Sequence, residues 1–204
     1  MNPAQIIDIS ILMRNGIAPW PDDVPYALRV ESLGALHLGS VSMSVHSGTH
    51  VDAPFHFLPE GASAEALELD AFVGPCSVID VSGKDRIQVR DIEGSGVKLT
   101  PRILLRTNAW LDYTQFPESI PVIESYVPAF LKERGVTLLG IDLPSVDAIE
   151  SKDLPIHHAL AERGIQILES LNLQAASPGN YELVALPLRL EGADASPCRA
   201  VLLS

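Results

Sequence analysis

The 204-residue chain has only two cysteines, Cys76 and Cys198. They lie far apart and form no C-x-x-C pair, so neither a disulfide framework nor a zinc ribbon is expected and both are read as free thiols. Basic residues are also scarce: 14 Lys and Arg stand against 26 Asp and Glu, a formal net charge of −12. No Lys/Arg-rich run exists to neutralise phosphates, which excludes nucleic acid as an expected partner. No apolar run approaches the length that spans a bilayer, so no membrane partner is expected either. The opening MNPAQIIDIS lacks a basic start followed by an apolar stretch, so no export signal is read and the expected compartment is the cytoplasm.

Hydrophobic residues make up 47% and charged residues 20%, an ordinary globular balance. Sixteen prolines and fourteen glycines imply many turns without low complexity. The length suits one domain spanning residues 1–204, and neither a repeat nor a divisive linker is evident. Short apolar runs at residues 5–11, 41–45, 77–81, 103–106, 136–141 and 183–190 read as strands, with turn signals at Ser82-Gly83 and Pro178-Gly179-Asn180 between them. Residues 123–134 carry helical spacing at Ile123, Val127, Phe130 and Leu131, with Gly135 placed as a C-terminal cap. Residues 157–163 read as a short helix stopped at Gly164. Strands and helices mixed without strict alternation predict an α/β or α+β domain.

The stretch that carries chemistry runs His46-Ser47-Gly48-Thr49-His50-Val51-Asp52-Ala53-Pro54-Phe55-His56. Before it, Val41, Met43 and Val45 alternate with Ser40, Ser42 and Ser44, which predicts a half-buried strand whose polar face continues to His46. Ser47-Gly48 permits a bend or bulge. His50 and Asp52 are two apart, so in an extended segment they share a face. His56 lies beyond Pro54, which cannot continue a central strand. Half of the chain's six histidines therefore fall beside one carboxylate in this short segment. Imidazole and carboxylate are natural ligands of zinc and similar ions, and His46, His50 and Asp52 would leave a coordination position open for water. The bland reading is a polar strand end whose histidines only hydrogen-bond.

A second group follows. After Gly164, Ile165, Ile167 and Leu171 alternate on one face, and Glu169 falls on it too. A carboxylate on an apolar face is costly unless it is paired or binds metal, so Glu169 is a ligand candidate, with an Arg or backbone partner as the alternative. His157 or His158 could approach it across the helix–strand turn. Trp20, between Pro19 and Pro21, is either a core or rim residue or a wall of an aromatic pocket. The loop from Asp194 to Arg199 reads as structural.

On these residues the chain resembles the metal-dependent cyclase-like family and, within it, the bacterial kynurenine formamidases (arylformamidases). The matching features are Asp8-Ile9-Ser10, Trp20-Pro21, the H-x-G-x-H-x-D-x-P-x-H signature from His46 to His56, GIDLPSVD at 140–147, His157 with Glu169, YELVALP at 181–187, and ASPCRAV at 195–201. The resemblance implies an α/β domain with a β-barrel-like mixed sheet core flanked by helices, and a homodimer. It implies two zinc ions (Zn2+) per subunit, the first held by His46, His50 and Asp52, the second by Asp52, His157 and Glu169, with Asp52 bridging. It selects His157 over His158, gives His56 the place of the catalytic acid/base, and sets Trp20 against the substrate's aromatic ring. The implied reaction is hydrolysis of the small molecule N-formyl-L-kynurenine to L-kynurenine and formate in tryptophan degradation. Related metal-dependent amidohydrolases of isatin-like or cyclic-imide substrates are the alternative. Two departures stand out: Asp22 where the family often has glycine, and Ser47 where it often has threonine. A non-catalytic metal-binding scaffold would not need His56, and a cysteine hydrolase finds no nucleophile motif around Cys76 or Cys198.

Overall fold

The computed structural model describes residues 5–204. The first four residues of the stretch read for an export signal lie outside that range. Among the described residues there are thirteen strands: β1 (Ile6–Asp8), β2 (Ala27–Leu33), β3 (Leu36–Ser42), β4 (His50–Asp52), β5 (Val73–Asp80), β6 (Arg86–Ile87), β7 (Arg102–Arg106), β8 (Val122–Ile123), β9 (Leu138–Ile141), β10 (Gln166–Glu169), β11 (Gly179–Val184), β12 (Ala195–Pro197) and β13 (Val201–Leu203). The helices are α1 (Val89–Glu93), α2 (Val127–Glu133) and α3 (Pro155–Ala161).

Nine strands form one mixed sheet in the order β1-β13-β11-β5-β7-β9-β10-β4-β12. The central β5, β7, β9 and β10 run parallel, and the flanking pairs are antiparallel. Parallel strands covered on both faces are apolar on both. Ile103, Leu105, Leu139, Ile141 and Ile167 pack with the helix residues Val127, Leu131, Ile156 and Leu160. Leu104, Leu138 and Leu168, one residue out of phase, pack inside the curl with Val78, Leu183 and Leu202. The sheet curls far enough for Ser10, just past edge strand β1, to bridge with Leu171 beyond β10. This single α/β domain is the barrel-like architecture expected.

Several boundaries differ from the sequence reading. Residues 41–45 are not a half-buried strand. Val41 belongs to β3, which pairs only with β2 in a ribbon standing off the main sheet, and its side chain is exposed. An alternating pattern in a free ribbon mimics one facing a core. Helix α2 begins at Val127 rather than 123, because Ile123 joins β8 and Pro128, lacking an N–H, fits only a helix's first turn. The strand placed at 183–190 lies instead at Gly179–Val184, taking in Gly179 and Asn180 of the supposed turn. Leu171 leaves the face of Ile167 for the interior, since Ser170 adopts φ +55° and breaks the alternation.

Candidate metal centre

The site grows from the pairing of β4 with β10. Their antiparallel register sets Glu169 directly opposite His50 and Ile167 opposite Asp52. Side chains directly opposite share a face. Val51 points into the curled interior, so His50, Asp52 and Glu169 emerge together on the helix-covered face. Gly48, at φ +66°, makes the bend into β4, and a Cβ there would collide with Met13 Sδ. Strand β4 ends at Asp52, and the short turn Pro54–His56 carries His56 back over it. From the other side α3, which starts at Pro155 and is followed by Gly164 at φ +65°, brings His157 down. His158, the other candidate, belongs to none of the metal-capable clusters among the described residues.

Asp52 is the hub. His46 Nδ1 and His50 Nε2 each lie 3.3 Å from its Oδ1, and His157 Nε2 lies 3.3 Å from its Oδ2. Glu169 stands 3.6 Å from both His50 Nε2 and His157 Nε2. Yet His50 Nε2 and both Asp52 oxygens are buried without a hydrogen-bond partner. Buried polar atoms left unsatisfied cost about 1–3 kcal/mol each, and more when charged. The spacing suits another occupant: ligand atoms about 2.0–2.1 Å from a tetrahedral ion are about 3.3 Å from one another. His46, His50 and Asp52 could hold one ion, and Asp52, His157 and Glu169 a second, with Asp52 common to both groups. The donor set fits a divalent metal.

Each imidazole is also gripped at its outer nitrogen. His50 Nδ1 is 2.8 Å from the Gly48 carbonyl, His157 Nδ1 is 2.7 Å from Asp147, and His46 Nε2 is 3.0 Å from Asp194. Such partners set the tautomer so that the other nitrogen's lone pair faces inward. Asp147 and Asp194 were not singled out from sequence as site residues, and the loop holding Asp194, read as structural, is part of the site. Asp194 also lies 3.1 Å from His56 Nδ1. Asp147 sat inside the quoted GIDLPSVD run without a role; its neighbour Asp142 takes a separate one, accepting from Thr107 and Asn108 beyond β7.

The electrostatics follow from crowding. Burial alone would raise Asp52, but the three imidazoles hold it well below its ordinary value. Burial and the Asp52 charge push Glu169 up to about 8. For His157, burial is outweighed by Asp147 and Asp52, which raise it to about 10; for His46, burial is outweighed by Asp52 and Asp194, which raise it to about 9. His56 is lowered by burial and by the neighbouring His46.

The cluster floors a cleft of about 280 Å³ walled by Trp20, Trp110, Phe116 and Leu154. Trp20 meets Phe116 edge-on, with ring centroids 5.0 Å apart. The Trp loop turns at Asp22, whose φ is +68°. That left-handed conformation is where glycine is at ease and where Asp is tolerated, so the departure at this position keeps the loop's shape. Cys76 is buried with its thiol pushed up to about 12 by burial, and neither cysteine lines the cleft.

The Cyclase family model matches residues 7–148. The chain belongs to the Cyclase family. A kynurenine formamidase from Geobacillus thermodenitrificans is 46% identical over 99% of this chain and 98% of its own, an alignment that extends past His157 and Glu169. A solved structure from Bacillus stearothermophilus, described as a predicted metal-dependent hydrolase, superposes with a TM-score of 0.83 at 27% identity, covering 98% of each chain. An isatin hydrolase A from Ralstonia solanacearum shares the fold at TM-score 0.84 and 23% identity, over 98% of this chain and 92% of its own. The chain is thus a hydrolase-fold member of this family, and no helix among its described residues is long and apolar enough to cross a membrane.

Proposed function

We propose that the protein hydrolyses N-formyl-L-kynurenine to L-kynurenine and formate, a step of tryptophan degradation, using two zinc ions. His46, His50 and Asp52 hold the first ion; Asp52, His157 and Glu169 hold the second. The observation that carries this reading is the set of buried, partnerless donor atoms around Asp52 at the floor of an aromatic cleft. Kynurenine formamidase relatives supply the substrate.

When bound, the ions would polarise the formyl carbonyl and make water more acidic. The chain's own groups do the rest. Trp20 and Phe116 pack against the aryl ring and keep the formamide over the cluster. His56, neutral because its pKa is lowered, accepts a proton as water adds to the formyl carbon. It returns that proton to the anilide nitrogen as the C–N bond breaks, since an unprotonated anilide is a poor leaving group. Formate keeps both oxygens, and its acidic proton passes to solvent.

Two copies of the chain form the working unit. The ribbon of β2 and β3 exposes Leu28, Val30 and Val41 on one face and Leu33, Leu36 and Leu38 on the other, and exposed apolar side chains grouped in this way mark interaction surfaces. The isatin hydrolase likeness favours a second reading in which the cleft takes a cyclic aryl amide.

The deciding experiment is turnover of N-formyl-L-kynurenine and of isatin by purified protein, with and without chelator, with zinc counted. Formamide turnover that chelation abolishes and zinc restores, at about two metals per chain, supports the proposal. Isatin turnover alone supports the second reading.

A further inference from the structure

Asp194 touches both a candidate metal ligand and the proposed acid/base, and the hydrolytic reading above gives it no part in proton transfer. Its Oδ2 lies 3.1 Å from His56 Nδ1 and 3.0 Å from His46 Nε2. These are ordinary N–H···O lengths, shorter than the 3.3 Å separations from Asp52 and the 3.6 Å separations from Glu169. A carboxylate only accepts, so both ring nitrogens are donors here. The two rings sit 4.2 Å apart between centroids, tilted by 46°, and a single oxygen serves both.

The placement is built into the fold. Strand β12 pairs with β4 so that Ala195 stands opposite Asp52. The Ala53 N–H donates to the Asp194 carbonyl, while the Ala53 carbonyl accepts from the His56 N–H, both at 2.9 Å. Asp194 and His56 therefore hang from the same backbone residue, one on each side. Their relative position does not depend on a flexible side chain reaching out of solvent.

We propose that Asp194 is a positioning residue for hydrolysis, holding His56 with its proton on Nδ1 so that Nε2 is the nitrogen that takes and returns the proton. Through the same oxygen it holds His46 with Nδ1 facing Asp52. One carboxylate thus aligns a candidate metal ligand and the acid/base together, in the manner of the aspartate that orients the histidine of a serine-protease triad. The proposal rests on the hydrolytic role given to His56. A third ion between His46, His56 and Asp194 is the competing use of the same atoms.

The test compares zinc-loaded wild type, Asp194→Asn, His56→Ala and the double variant. With zinc kept saturating, because His46 loses its outer partner as well, Asp194→Asn is expected to lower kcat about 100-fold, at the lower end of what acid–base help is worth, with KM changed less than about 3-fold and both metal groups still filled. In the His56→Ala background, again at saturating zinc so that the His46 contact does not limit occupancy, the same change is expected to lower kcat little further, because the effect exerted through His56 has nothing left to act on. Nitrogen-15 NMR of the wild-type His56 ring is expected to show the proton on Nδ1, with a mixture of tautomers in Asp194→Asn. Unchanged kcat in Asp194→Asn, an equal loss in the His56→Ala background, zinc lost in step with activity, a third metal per chain, or a wild-type His56 carrying its proton on Nε2 would each overturn the proposal. If His56→Ala itself kept full turnover, the hydrolytic role of His56 would fall instead, a distinct outcome read from a separate variant.

Discussion

Nδ1 of His157 lies 2.7 Å from Oδ2 of Asp147, and the same carboxylate accepts from the backbone N–H groups of Ile156 and His157. One side chain therefore caps the start of α3 and orients the ring that α3 delivers. Leu154, just before the helix, adopts φ +42° and offers no cap of its own. Asp147→Asn keeps the shape and removes the charge that steadies the imidazole. We expect affinity at the Asp52–His157–Glu169 group to fall about 10–100-fold, the usual cost of losing such a partner, while the His46–His50–Asp52 group keeps its affinity. A two-step competition titration against a zinc chelator reads both, and two steps identical to the wild type's would refute the role.

His56→Ala separates binding from turnover. His56 sits outside both groups that share Asp52. The variant should retain about two zincs per chain and lose about 10²–10⁴-fold in kcat. Loss of zinc by elemental analysis would make His56 a ligand.

The pH dependence of turnover follows from the direction of the His56 shift. Burial first and the positive charge of His46 second lower it from 6.5. A base must be unprotonated to work, so kcat should rise with pH through a midpoint below 6.5. In the loaded enzyme a bound cation would replace the His46 proton and depress His56 by the same sign of interaction. An acid limb centred above 7 would contradict the assignment.

Much of this centre was legible because it is local. His50 and Asp52 sit two apart in a strand, and the period of two settles which face they share. Glu169 betrayed itself as a charge amid Ile165 and Ile167. Distance hid the rest. Asp194 meets His46 from 148 residues away, a closeness created by β12 pairing with β4 that no local pattern announces. Val41, Met43 and Val45 misled for the opposite reason, since alternation reports two unlike faces but not whether a core lies against either. The curl of the sheet, seen in the Ser10–Leu171 bridge, likewise exists only once nine strands are ordered.

Metal uptake should release protons. Without a cation, His157, His46 and Glu169 titrate at about 10, 9 and 8, so at pH 7 each holds a proton that a metal must displace. Loading apoprotein with zinc in weak buffer should release about two or more protons per chain at pH 7, fewer as pH rises towards 10. Apparent affinity should strengthen over the same range, because the competing protons leave. Zinc binding with no proton release at pH 7 would place the metal elsewhere.

The ribbon supplies the last prediction. Cross-strand register sets Leu28 opposite Val41 and Leu33 opposite Leu36, so each pair lies on one face of a two-stranded arm whose side chains are largely in water. A two-stranded hairpin is marginal alone, and no layer among the described residues covers this one. Burying a leucine is worth about 1.5–3 kcal/mol, so several buried together against a second copy would hold an assembly that a single carboxylate disrupts. Leu28→Asp and Leu36→Asp address the two faces separately. The face that contacts the partner should yield monomers by sedimentation when charged, with zinc content unchanged, because neither residue touches the cluster around Asp52. If both variants and the wild type sediment alike as monomers, the arm is not an interface between copies; if both variants remain dimers, the copies meet elsewhere.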